Sequence, residues 1–157
     1  MFKLSKLTDY AVVVLSDMAR RSDAVQTVPQ LAERTGLPAP TVAKLMKLLT
    51  PAGLAVSHRG AQGGYVLARG ATDISVAEII AAVEGPIALT ACVEGSDQAC
   101  NAERMCPMRG NWERVNGAVR DALERVSLAE MMSFPDFMAP RAGRPDGEGR
   151  IGAARNS

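Results

Sequence analysis

The stretch "TVPQLAERTGLPAPTVAKLMKLLTPAGLAVSHRGAQGGYVLAR", residues 27–69, allows few folds. Thr27 is a good N-cap, Pro29 suits a first helical turn, and Gln30 completes a capping-box pattern; Gly36 is a C′ stop. After the break "GLPAP" a second pattern begins near Pro40. Val42, Leu45, Met46 and Leu49 fall on one stripe of it, with Thr41, Lys44 and Lys47 facing away. Pro51 and Gly53 end this helix. Leu54-Ala55-Val56 and Tyr65-Val66-Leu67 then read as short strands around a Gly-rich turn carrying His58, Arg59 and Gln62. Short helix, tight turn, helix and hairpin is the order of a winged helix-turn-helix; the bland alternative is a helical bundle with a decorative hairpin.

Flanking patterns extend the reading. "LTDYAVVVLSDMARR" is a first helix, with Leu7, Ala11, Val14, Leu15 and Met18 at helical spacing. "ISVAEIIAAVEG" is another, with a Ser75–Glu78 capping box and an end at Gly85-Pro86. A long helix is expected over roughly 106–126, where Trp112, Val115, Val119, Ala122 and Val126 alternate spacings of three and four, a narrow interhelical seam. Its partner is either another chain or the rest of its own. "SLAEMM" begins a last short helix behind Ser127. The fold class expected is mainly α with a small β-hairpin wing: a winged helix-turn-helix plus a long helix.

Charge distribution agrees with a polyanionic partner. Residues 1–70 carry nine Lys/Arg against four Asp/Glu, whereas residues 71–157 carry nine against thirteen. A basic first half suits double-stranded DNA. The helix starting near Pro40 would enter the major groove, Pro40 and Thr41 leading and Lys44 one turn on. Arg59 would reach a minor groove or phosphate, and His58 meets phosphate or solvent rather than a metal. Thr27, Pro40, Thr41, Lys44, Lys47, His58, Arg59 and Gln62 form the candidate DNA-contacting set. No apolar run approaches the roughly 20 residues of a membrane span, and no signal-peptide pattern opens the chain, so a cytoplasmic protein is expected, with no membrane and no small-molecule substrate as partners. The lone histidine, in the wing, and the absence of a catalytic triad, phosphate loop or dinucleotide fingerprint argue against an enzyme.

All three cysteines, Cys92, Cys100 and Cys106, lie in one stretch with the spacing C-x7-C-x5-C, unlike the close pairs of zinc ribbons. Reduced thiols so clustered suit metal chemistry, and wide spacing around Gly95 suits a group larger than one ion, such as an iron–sulfur cluster; three incidental thiols are the alternative. Three thiolates leave a two-iron or four-iron cluster one ligand short.

"KLTDYAVVVL", "LAERTGLPAPTVAKLMKLLTPAGL", "HRGAQGGYVLAR", "ISVAEIIAAVEGP" and a three-cysteine loop before a long helix together resemble the iron–sulfur-sensing winged-helix repressors of IscR/NsrR type, over roughly residues 1–134. "KLTDYA" with "EGPIALTAC" is most similar to the branch regulating the sulfur-mobilisation (SUF) cluster-assembly operon; a nitric-oxide or redox-responsive repressor is the alternative within the family. The resemblance implies a homodimer on a near-palindromic operator, the long helices pairing across the two-fold axis. It implies an iron–sulfur cluster on the three cysteines, a 2Fe–2S cluster in preference to a 4Fe–4S one. Where the IscR pattern has a ligating histidine this chain has Arg109, which stays protonated and cannot bind iron. Asp9 matches the aspartate that, in the NsrR pattern, ligates the other subunit's cluster; otherwise it charges the start of the first helix. Glu94, Asp97 and Glu103 are further carboxylates near the thiols. The implied organisation is 1–70 DNA-binding, 71–110 linker helix and cluster loop, 111–138 dimerisation helix and short C-terminal helix, and 139–157 a disordered tail.

Overall fold

The computed structural model describes residues 3–90, 93, 108 and 110–133. Cys92, Cys100 and Cys106, Glu94, Asp97, Glu103, Arg109 and the expected tail 139–157 lie outside the described residues.

Six α-helices, a short 3-10 turn at Ala71–Asp73 and one hairpin make up the described part: α1 Lys6–Ala19, α2 Val28–Thr35, α3 Ala39–Leu49, β1 Ala55–His58, β2 Gly64–Leu67, α4 Val76–Glu84, α5 Asn111–Glu124 and α6 Leu128–Met132. The expected mainly helical fold with a two-stranded wing is what the chain adopts. Capping fixes most helix starts. Thr27, Ser75 and Ser127 each accept a backbone N–H three residues on, from Gln30, Glu78 and Glu130, whose side chains return the bond. α1 starts at Lys6 behind Ser5, whose hydroxyl accepts the Thr8 N–H, and it stops at Ala19 rather than continuing through Arg21. α3 starts at Ala39, one residue before Pro40, its first turn closing on the Pro38 carbonyl.

The core is built from facing stripes: Ala11, Val14, Leu15 and Met18 of α1, Leu31 of α2, and Val42, Leu45, Met46 and Leu49 of α3, all fully buried. Leu54 at the hairpin base, Ile74 just before α4, Ile79 within it and Leu128 of α6 close it, so the last described helix returns to the same core. α4 and α6 start side by side: the Val76 N–H donates to the Val126 carbonyl and the Leu128 N–H to that of Ile74, each at 2.8 Å.

The helix expected over 106–126 begins only at Asn111. Gly110 precedes it at φ 86°, a left-handed conformation that ends regular helix geometry and that favours glycine. The 3-4 seam is only partly exposed: Trp112 is 42% and Val115 47% exposed, whereas Val119 and Val126 are half-buried and Val126 lies beyond α5. Among the described residues nothing covers Trp112 and Val115. α5 docks instead through Leu123, beside Ala77, Ile80 and Ile87, and through Asn116, which is fully buried. The Asn116 amide donates to the Ile87 carbonyl at 2.9 Å and accepts the Leu89 N–H at 3.0 Å, satisfying two backbone groups just before the cysteine stretch.

Candidate nucleic-acid interface

Because one stripe of α3 is fully buried, its opposite stripe must face outward. Pro38, Ala39, Pro40, Lys44 and Lys47 are exposed and Thr41 is half-buried. α2 ends at Gly36 and its short connection sets α3 across it, so the N-terminal turn of α3 is the leading edge of this surface.

The wing stands beside it. Ala55 pairs with Leu67, Val56 with Val66, Ser57 with Tyr65 and His58 with Gly64. His58 is therefore the last residue of β1 rather than part of the turn, and Arg59, Gly60, Ala61 and Gln62 form an exposed tip. Gly64 has a structural requirement as well as any toward DNA: a Cβ there would sit 2.6 Å from the Gln26 carbonyl oxygen, because Gln26 forms a third strand position. The Gln26 N–H donates to the Tyr65 carbonyl at 2.9 Å, and the Tyr65 N–H returns the bond at 2.8 Å.

Residues 34–72 hold five Lys/Arg and no Asp or Glu. Arg34 is paired with Asp17 and Arg69 with Glu78. Burial works against the Glu78 carboxylate, but the Ser75 N–H, the Arg69 guanidinium and the Ser75 hydroxyl outweigh it and hold its pKa below the ordinary value. Lys44, Lys47 and Arg59 make no ion pair among the described residues, and all three are exposed. The recognition-helix face and the wing tip thus present uncompensated cations. Thr27, half-buried, spends its oxygen on the cap of α2, accepting the Gln30 N–H at 3.4 Å, which leaves its O–H to donate outward.

Two features escaped sequence reasoning. One is the buried Gln26, whose amide donates to the Met18 and Arg21 carbonyls and accepts from Arg34. The other is Glu84, at the end of α4, which accepts from the Ser5 N–H at 2.9 Å and from the Thr8 hydroxyl. The partners are five to 79 residues apart, across element boundaries that no helix or strand period reads.

Asp9 is exposed in the first turn of α1 and does not cap the helix; Ser5 does. It borders a surface groove with Leu4 and Val12, with Val76 and Ile79 beneath and Met131 opposite. Its carboxylate makes no side-chain hydrogen bond or ion pair among the described residues. No group of three or more His, Cys, Asp or Glu among the described residues could hold a metal ion, and no described helix is long and apolar enough to cross a membrane.

Comparison with known proteins agrees with this geometry. A family model described as Rrf2, iron-dependent transcriptional regulator, matches residues 4–133. The HTH-type transcriptional regulator IscR of Vibrio vulnificus is 33% identical over 133 residues, covering 83% of this chain and 77% of that protein. CymR, the global cysteine regulator of B. subtilis, superposes with a TM-score of 0.63 at 28% identity, over 87% of this chain and 100% of that one. IscR of T. potens gives a TM-score of 0.58 at 32% identity, over 83% and 86% of the two chains. A winged helix-turn-helix with an exposed basic reading face, matched by this family model along nearly all of its described length, belongs to the Rrf2 family: the chain is a DNA-binding transcriptional regulator and not an enzyme.

Proposed function

We propose that the chain is a repressor that binds a near-palindromic operator as a homodimer, and that an iron–sulfur cluster sets its operator affinity. The observation that carries the DNA half is the unpaired, exposed set Lys44, Lys47 and Arg59 on α3 and the wing. Thr27, Pro40, Thr41, His58 and Gln62 complete the contact set around them. Dimerisation is supported by the exposed apolar seam of α5, with Trp112 and Val115 outward and Val119 and Ala122 on the same side. Apolar stripes of this spacing pair helices.

The donor set fits an iron–sulfur cluster. Cys92, Cys100 and Cys106 supply three thiolates, and Asp9, an exposed carboxylate with no side-chain partner among the described residues, is offered as the further ligand from a neighbouring subunit. Three thiolates with the partner subunit's Asp9 make four ligands, the number that a 2Fe–2S or a 4Fe–4S cluster takes; the 2Fe–2S form follows the family resemblance. When bound, the cluster supplies a centre whose oxidation, nitrosylation or loss alters its ligand ties. The genes controlled are those of SUF cluster assembly, and the protein works in the cytoplasm. A second reading, a nitric-oxide or redox-responsive repressor, is favoured by one feature: the ligand candidate is Asp9, while Arg109 stands where a histidine would serve.

Anaerobic reconstitution followed by absorption and Mössbauer spectroscopy tests the cluster. Cys92→Ala, Cys100→Ala and Cys106→Ala should each abolish or severely destabilise it. Asp9→Ala should leave a labile cluster with a changed spectrum. Full cluster content in any cysteine variant removes that residue from the ligand set, and an unaltered Asp9→Ala spectrum moves the fourth ligand to Glu94, Asp97, Glu103 or an exogenous thiol.

A further inference from the structure

Gln26 is 2% exposed, yet its side-chain and main-chain polar groups are all engaged. Its amide nitrogen donates to the Met18 carbonyl at 3.3 Å and the Arg21 carbonyl at 3.2 Å, at the end of α1. Its amide oxygen accepts from Arg34 Nη2, in the last turn of α2. Its backbone exchanges two hydrogen bonds with Tyr65 of β2. Arg34 is itself held by Asp17, through Nε at 2.8 Å and Nη2 at 2.6 Å. A guanidinium bound at two atoms has a fixed orientation, so what it holds is held in direction as well as distance.

We propose that Arg34 is a positioning residue for DNA binding: through Gln26 it sets where the wing tip stands relative to α3. The wing is anchored at its base by buried Leu54 and Ala55 and at mid-length by the Gln26–Tyr65 pairing. Beyond Tyr65 the hairpin projects as a lever ending in Arg59. A small tilt at Gln26 becomes a larger displacement at the tip. Since the tip and α3 must meet grooves at fixed separation, tilt is lost affinity on one side of the site only. The inference rests on the reading that Arg59 contacts the operator.

Arg34→Gln is a tolerable probe. Asp17 keeps Arg21 on Oδ1 at 3.2 Å, so its charge is not left unpaired, while Asp17 Oδ2 and the Gln26 oxygen lose their Arg34 donors. Operator affinity would be measured by fluorescence anisotropy across a salt series for the full chain and for R34Q, R59A and the double variant. Hydroxyl-radical footprints and thermal melts would accompany each. The expected result is a fold near wild type and an affinity loss of about five- to tenfold for R34Q. The salt slope should become shallower by about one charge, as for a lost phosphate contact. Protection should vanish at the positions that R59A uncovers and persist at those under α3. The double variant should bind about as R59A does, because a residue acting through Arg59 has nothing left to position.

If the losses multiply, Arg34 touches DNA or acts on the whole domain, and the proposal fails. Retained flank protection in R34Q overturns it equally. If R59A itself binds normally, the wing reading fails first and takes the proposal with it. Gln26→Met removes the other end of the link without touching Arg34–Asp17 and should reproduce the R34Q footprint; should R34Q not fold, this variant decides the matter alone.

Discussion

Lys44, Lys47 and Arg59 stand out because no described residue neutralises them, whereas Arg34 and Arg69 in the same acid-free stretch are spent on carboxylates elsewhere. An exposed unpaired cation on a DNA-binding face gains most by displacing counterions from phosphate. Arg59→Ala should therefore weaken binding to all sequences alike and lower the salt dependence by about one charge, with the dimer unchanged in sedimentation. Lys44, one turn into α3, is the side chain proposed to read a base edge. Lys44→Ala should lose about 1–3 kcal/mol at one operator position and less elsewhere, measured over a panel of single-base variants. A uniform loss would make Lys44 a phosphate contact. Asn116 illustrates a different role. Its amide serves the Ile87 carbonyl and the Leu89 N–H in a site without solvent exposure. Asn116→Ala strips both groups of their partner and should cost about 1–3 kcal/mol in urea denaturation. A loss indistinguishable from zero would mean that water or a shifted backbone replaces the amide.

At the scale of elements, what is local in the chain was legible and what is distant was not. The three boxes Thr27–Gln30, Ser75–Glu78 and Ser127–Glu130 need only four consecutive residues, and each forms. The hairpin follows from strand-forming residues around a glycine turn. The extent of α5 was misread because Trp112, Val115 and Val119 keep a helical period without saying where the helix starts or what covers the stripe. Gly110 decides the start, and the covered face belongs to Asn116 and Leu123. The tie between α4 and α1 was invisible because Glu84 and Thr8 lie 76 residues apart. That tie has a pH signature. The Ser5 and Thr8 hydroxyls and the Ser5 N–H hold the Glu84 pKa below its usual 4.5. A depressed carboxylate pKa stabilises the fold above the unfolded-state value, and that stability is lost as pH falls through the folded one. Acid titration of Glu84→Gln, followed by circular dichroism, should show a flatter loss of stability below about pH 4.5 than the parent chain shows. Parallel curves would mean that the carboxylate gains nothing from these donors.

For the whole molecule, the proposed DNA-reading surface lies on α3 and the wing, while the exposed residues of the α5 seam and the groove beside Asp9 lie outside it. α4 links these regions: Glu84 holds α1, Ile80 packs with Ile87 beside α5, and Asn116 fixes the chain at Ile87 and Leu89 just before the cysteines. Leu89, the last residue held before the cysteines in sequence, is thus tied to α5 and, through α4, to the first helix of the DNA-binding unit. A cluster can shift operator binding only by its differential affinity for two arrangements of that assembly. Coupling free energies of this kind are typically 1–3 kcal/mol, or about 5- to 150-fold in affinity. The direct test is a titration of the chain's own promoter region with cluster-loaded and cluster-free protein, prepared anaerobically from one batch and compared at fixed salt. The account predicts specific, competitor-resistant binding whose affinity differs between the two forms by a factor in that range, with the difference abolished by Cys100→Ala. Equal affinities for the two forms, each with an intact dimer, would contradict it.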